Sequence, residues 1–183
     1  MRTTFLVTVC GLALLPCSEA QIRSATADQM RAGFLYQLAQ YADWPPDSFS
    51  SGKTPLRFCV LGQDDLVEIL ESTVRGKTIQ GRPIVIARAK DMTQVAECHL
   101  AFLGLNRPKQ LQETFARWSY PPVLLVGEAE EFARSGGMVN LSLSGGKVTF
   151  EVNLAAAERA RLEFRSQLLR FARIAGGKRR GAR

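Results

Sequence analysis

The chain carries one histidine, His99, and four cysteines, Cys10, Cys17, Cys59 and Cys98. A zinc site needs several nitrogen or sulfur ligands at short spacing. One histidine, no Cys-x-x-Cys and no acidic cluster do not supply them. General-base chemistry would have to run through His99, which opens the apolar run His99-Leu100-Ala101-Phe102-Leu103 and reads as a structural histidine with its nitrogens satisfied. Asp64-Asp65 could serve acid chemistry, but a helix start accounts for both carboxylates. Gly62, Gly104 and Gly127 each close an apolar run, and open α/β sheets bind ligands beyond the carboxyl ends of such strands. Neither G-x-G-x-x-G nor G-x-x-x-x-G-K-[ST] is present, so neither a dinucleotide nor a nucleoside triphosphate is indicated, and the glycines read more simply as turn residues. These motifs point away from an enzyme and call for no cofactor and no metal.

The start of the chain sets the compartment. Arg2 precedes an apolar run, Phe5–Leu15, and Ser18-Glu19-Ala20 offers small residues at the −3 and −1 positions of a cleavage site. That pattern predicts a signal peptide over 1–20, too short to span a membrane and remain there. Lipidation at Cys17 is the weaker alternative, because Pro16 sits where a small residue is wanted. No later stretch approaches the ~20 apolar residues of a membrane helix, so the expectation is a periplasmic protein with no membrane span. Loss of Cys10 and Cys17 leaves Cys59 and Cys98, and an even pair in an oxidising space reads as one disulfide. Two buried thiols are the alternative, since cysteine is often a core residue. The formal charge is +7, and Lys178, Arg179, Arg180 and Arg183 contribute four of those charges in a tail over 176–183. Such a tail reads as disordered and solvated; attraction to anionic headgroups or an acidic partner is its functional alternative. Nucleic acid is not expected, since the basic segments of this exported chain lack interleaved aromatics.

The remaining 21–175 suit a single domain. Thr26-Ala27-Asp28-Gln29 matches a capping box, and Met30, Phe34, Leu35, Leu38 and Tyr41 recur at helical spacing, predicting a helix to about Tyr41 that ends before Trp44-Pro45-Pro46. Trp44 reads as a core or lid residue, with an exposed docking aromatic as the sharper alternative. Leu56–Leu61 is a strand, Asp64 a cap, and Leu66, Val67, Ile69, Leu70 and Val74 the buried side of the next helix. Strands follow at Pro83–Ala87, Cys98–Leu103 and Pro122–Val126, with helices near Asp91–Glu97 and Leu111–Trp118. Repeated βα units of this kind imply an α/β fold: a small, mostly parallel sheet with helices on both faces.

After Gly136-Gly137, Met138–Leu143 and Lys147–Asn153 alternate around Gly145-Gly146, which is a hairpin signal. Val148, Phe150 and Val152 share one strand face; Thr149, Glu151 and Asn153 share the other. Asn153 can cap a helix from Leu154. Arg161–Phe164 suits an extended piece, and Ser166 can cap a terminal helix through Ile174 docked by Leu168, Leu169, Phe171 and Ile174.

The order Gly136-Gly137-Met138, hairpin, F-E-x-N-L-A-A-A and S-x-L-L-R-x-A-R resembles the end of the YfiR family of small periplasmic proteins. The stretch A-x-F-L-Y-x-x-A-x-Y-x-x-W-P, the strand Phe58–Gly62 and the Cys98-His99 strand start resemble earlier parts of the same family. The resemblance implies a non-catalytic negative regulator that binds the periplasmic sensor region of an inner-membrane diguanylate cyclase and restrains cyclic di-GMP synthesis, hence biofilm and adhesion. It also implies an outer-membrane lipoprotein that can sequester the regulator; a homodimer is a further candidate assembly. Family members often carry a second cysteine pair late in the chain; nothing after Cys98 is a cysteine here, so a redox switch built on that pair has no residues. The F-E-x-N-L-A motif places Glu151 as a partner contact, against the plainer reading of a solvated strand residue. A periplasmic small-ligand-binding protein, resembling half of a solute receptor, is the alternative function.

Overall fold

The computed structural model describes residues 19–105 and 107–176. The expected signal segment before Glu19 and the basic tail beyond Gly176 lie outside the described residues. The first helix, α1 (Glu19–Gln40), starts earlier than the Thr26 capping box predicts. Glu19–Ala25 holds no glycine or proline, so nothing stops the helix there, and Asp28 turns its carboxylate to other partners. The chain then leaves α1 through a short strand, β1 (Ala42–Asp43), and a 3-10 turn at Pro46–Ser48.

The βα units follow as read. They are β2 (Leu56–Leu61), α2 (Asp65–Val74), β3 (Thr78–Ile79), β4 (Arg82–Ala89), α3 (Met92–Val95), β5 (Leu100–Leu103), α4 (Pro108–Ala116) and β6 (Leu124–Gly127). Asp64 stands at the start of α2, but its side chain makes no capping bond; Asp91 does cap α3, accepting from the Gln94 amide at 2.9 Å. Next come β7 (Val139–Ser144) and β8 (Lys147–Val152), joined by Gly145 and Gly146 at φ +55° and +71°. Two successive positive φ values make the type I′ turn that matches strand twist. The chain ends in α5 (Leu154–Arg159), β9 (Glu163–Phe164), α6 (Ser166–Leu169) and β10 (Arg173–Ile174).

One curled sheet runs in the order β10-β8-β7-β6-β5-β2-β4-β3. From β4 to β7 all pairings are parallel; β7 with β8, and β3 with β4, are antiparallel. Right-handed crossovers assign α2 to one face and α3 and α4 to the other, because β2 is followed on its left by β4 and the chain then passes back over it to β5. Every residue of β5 and β6 is buried, as a parallel strand covered on both faces requires.

The terminal helix differs from expectation. It stops at Leu169, its flanking position is Arg165 rather than Ser166, and Arg173–Ile174 pairs in parallel with Glu151–Val152. The Ala175 amide completes that edge with a 2.8 Å bond to the Val152 carbonyl. An otherwise bare strand edge outcompetes a last helical turn, because it satisfies backbone groups that the helix end would leave open. Elsewhere β9 pairs with β1, and Arg165 clasps Asp43 through two bonds of 2.8 and 3.1 Å. That clasp holds the Asp43 carboxyl below its usual range, and ties the end of the chain to the segment after α1.

Asn153 joins three parts at once. Its Oδ1 accepts from the Ala156 amide at 3.0 Å, its Nδ2 donates to the Ala133 carbonyl at 2.6 Å, and its own amide bonds the Met138 carbonyl at 2.8 Å. Asn153→Ala removes the cap and the loop tie, and should lower unfolding free energy by about 1–2 kcal/mol in a urea titration.

Candidate functional site

Three places in this fold could do work: the junction around His99, the carboxyl ends of β2 and β6, and the C-terminal edge of the sheet. At the junction Cys59 and Cys98 form a disulfide with a Cα separation of 6.1 Å. The parallel register of β2 against β5 sets this up, pairing Cys59 with Ala101 and leaving Cys98 just before the strand. The neighbouring His99 is 8% exposed. Its Nδ1 accepts from the Arg57 amide at 3.0 Å, and its Nε2 lies 3.1 Å from the Ser48 carbonyl. A carbonyl accepts, so Nε2 carries the proton and the ring is neutral. Phe49 stacks flat on the imidazole at 4.8 Å, and the Arg82 guanidinium lies 3.8 Å from the Phe49 ring centre. Burial first, then the positive charges of Arg82 and Arg57, pull the His99 pKa below 6.5, against the raising effect of the Ser48 bond. His99 is thus the satisfied structural histidine of the sequence reading, pinning the loop after Pro45 to the sheet.

Trp44 belongs to the same junction. It is 8% exposed, and its indole N–H donates to the His99 carbonyl at 2.9 Å. A buried tryptophan with its polar tip engaged presents no docking face, so the core reading replaces the docking aromatic.

At the strand ends side chains form a network. Arg31 on α1 makes a bidentate pair with Glu128, just past β6, with bonds of 2.6 and 2.9 Å, and also bonds Asp28. Asp28 accepts in turn from Gln63, just past β2, at 2.9 Å. The Glu128 bonds keep the Arg31 guanidinium firmly protonated. This network ties α1 to the ends of β2 and β6, the region in which the small-ligand reading would place its site. Behind it Gly127 and Gly137 flank the buried Phe132, whose ring occupies the place a Cβ would take at either position. Close packing, rather than turn geometry, therefore requires glycine at 127.

The C-terminal edge is different. Glu151 sits on β8 with Asn140 of β7 on one side and Arg173 of β10 on the other. Its side chain is 22% exposed and lies 3.8 Å from Arg134, a distance of attraction rather than of a hydrogen bond. The Asn140 Oδ1 beside it is buried without a partner. Among the described residues four large apolar side chains stand exposed, and three of them belong to the C-terminal segment: Leu154, Ile174 and Phe171, the last at 82%. Phe171 and Ile174 do not dock a helix as expected, because the helix ends before them and helical spacing no longer turns them inward. Arg173 carried no signal in sequence, since a strand of two residues has no period to read.

The profile of the family described as YfiR/HmsC-like matches residues 28–173. The chain belongs to the YfiR/HmsC-like family. The match runs from within α1 to the first residue of β10, so it includes the junction, the strand-end network and most of the C-terminal edge. The family is in general one of non-catalytic periplasmic regulators. Among the described residues no three His, Cys, Asp or Glu side chains are grouped to hold a metal ion, and no helix is long and apolar enough to cross a membrane.

Two measurements test the junction. Joining Cys59 to Cys98 closes a loop with a sequence separation of 39. Replacing both cysteines by serine should lower stability by about 4 kcal/mol on the loop-entropy account, and non-reducing peptide mapping of protein taken from cells should recover the linked pair. Two free thiols in the map would refute it. For His99 the folded value lies below the ordinary 6.5, so the neutral ring stabilises the fold fully above that pH, and the contribution is lost as pH falls from 6.5 through the folded value. Wild-type protein should therefore lose more stability between pH 7 and 5 than His99→Gln, which cannot charge; parallel urea midpoints for the two would contradict this.

Proposed function

We propose that this YfiR/HmsC-like protein is a periplasmic, non-catalytic negative regulator that binds the periplasmic sensor region of an inner-membrane diguanylate cyclase and restrains cyclic di-GMP synthesis. In this reading the segment 1–20 is removed on export, 21–175 folds as a single domain, and an outer-membrane lipoprotein competes for the regulator. Family membership across residues 28–173 carries the reading. The C-terminal segment supports it, because it exposes Phe171, Ile174 and Leu154 and carries the charged residues Glu151 and Arg173. Exposed apolar groups beside a few charges make the kind of surface that a protein partner covers. Regulation needs no chemistry here: a protein that binds the inactive state of the cyclase better than the active one shifts the equilibrium by that difference.

The structure refines the choice of variants. Glu151→Arg would set an arginine between Arg134 and Arg173, so repulsion within the fold would confuse the result. Glu151→Gln keeps the volume, and Phe171→Ala removes a side chain that is 82% exposed, which should alter stability by no more than about 0.5 kcal/mol. Deleting the protein should raise cyclic di-GMP and attachment. Phe171→Ala should do the same in part, weakening capture of the cyclase from membranes about tenfold, the scale of an interface anchor near 1.4 kcal/mol. Folded Phe171→Ala and Glu151→Gln proteins that repress fully would remove this edge from the interface. Unchanged cyclic di-GMP in the deletion strain would count against the regulator itself.

A further inference from the structure

The opposite edge of the sheet is left open in an unusual way. β3 pairs with β4 at two positions alone, Thr78 with Pro83 and Ile79 with Arg82. Upstream of Thr78 the chain turns away at Gly76, with φ +71°, to meet the end of α2. β4 continues to Ala89, with Leu56 to Leu61 of β2 paired along one side. Among the described residues no strand pairs with the other side of Ile84–Ala89. This stretch is Ile-Val-Ile-Ala-Arg-Ala, so the free edge is apolar for four consecutive residues. Val85 is 43% exposed, the one exposed large apolar residue that lies away from the C-terminal edge. On the other strand face a groove of about 400 Å³ opens beside the edge, lined by Val74, Pro83, Ile84 and Ile86. An unpaired strand with apolar side chains is a template for another strand unless proline or charge blunts it. Pro83 and Arg88 stand at the two ends of this run, and nothing blunts its middle.

The charge around the edge selects what can lie on it. Arg75 and Lys77 rim the groove, and exposed Arg88 and Lys90 follow the apolar run; Glu71 is the single acid of the groove lining, and Asp64 lies 3.9 Å from Arg88, a loose surface pair that a partner's carboxylate can displace. A second copy of the chain would pair antiparallel about a two-fold axis. Arg82 cannot join that ladder, because its outer side already pairs with Ile79 of β3, and the pairing would bring Arg75, Lys77, Arg88 and Lys90 of both copies to one seam. Like charges brought together across an interface are destabilising. We propose that the free edge of β4 takes up an extended segment of a different protein by strand addition, a segment with alternating apolar residues at its centre and acidic residues at its ends. Main-chain bonds to Ile84–Ala89 supply affinity, alternate side chains enter the groove over Ile84 and Ile86, and the acidic ends meet Arg88, Lys90 and Lys77.

Two synthetic peptides serve as probes, each an alternating valine–threonine segment, one flanked by glutamates and one by lysines. Fluorescence anisotropy with the purified protein should show the glutamate peptide binding at least tenfold tighter, with the preference shrinking as salt rises. Hydrogen exchange should show amides within Ile84–Ala89 gaining protection in the complex. Val85→Asp, at an exposed position, should abolish binding without loss of the folded signal, and Arg88→Glu with Lys90→Glu should shift preference towards the lysine peptide. No binding of either peptide, equal binding of both, or binding that Val85→Asp leaves intact would overturn the proposal. So would a dimer in sedimentation that Val85→Asp dissociates, since the occupant would then be a second copy. The assay contains no cyclase and the substituted residues lie at the far edge from Glu151, so its failure leaves the regulator reading untouched.

Discussion

Parallel strands buried on both faces are the constraint on which the rest of this protein depends. β5 and β6 have no exposed residue, and the run from β4 to β7 is parallel throughout. Parallel pairing demands crossovers, crossovers bring helices, and helices cover the faces. α1 adds to that cover and sends Arg31 into the crevice where such sheets usually receive a ligand. The two edges of the sheet are the surfaces on which the functional readings rest.

The two edges differ in how they are finished. At the C-terminal side the hairpin β7–β8 receives β10, so the backbone is largely paired and what remains exposed is side chain, Phe171, Ile174 and Leu154 among them. Recognition there is a matter of shape, apolar contact and charge. At the other side β3 is cut short and the backbone of β4 itself is offered. Recognition there would be by main-chain bonds, which are indifferent to sequence, with the basic rim supplying selectivity.

The junction around His99 explains how a fold of this kind holds its loops. Cys59–Cys98, the His99 ring, Trp44 and Phe49 tie the segment after α1 to the centre of the sheet, and Asp43 with Arg165 ties the end of the chain to the same segment. Each tie joins residues far apart in sequence. Together they place the C-terminal segment, and hence the edge that carries Phe171, on a rigid base.

Much of this was legible from local signals. The βα units, the Gly145-Gly146 hairpin and the Asn153 cap rest on periodicity and turn chemistry, which act over a few residues. The pairing of Cys59 with Cys98 followed from counting the cysteines expected to remain after export to an oxidising compartment, and the family resemblance from motifs in order. The reading of His99 as structural was also sound, since a lone histidine in an apolar strand has few other uses. Tertiary structure alone decided the rest. It set the start of α1, because a capping box competes with helix formers that continue through it. It converted Arg173–Ile174 from helix to edge strand, because only the folded sheet exposes the unpaired groups that capture them. It buried Trp44 by supplying the His99 carbonyl, and it gathered Glu151, Asn140, Arg134 and Arg173 from separate segments. Local propensity acts along the chain, whereas burial and strand pairing act across it, so sequence fixes elements that close on themselves and leaves to the fold those that need a distant partner.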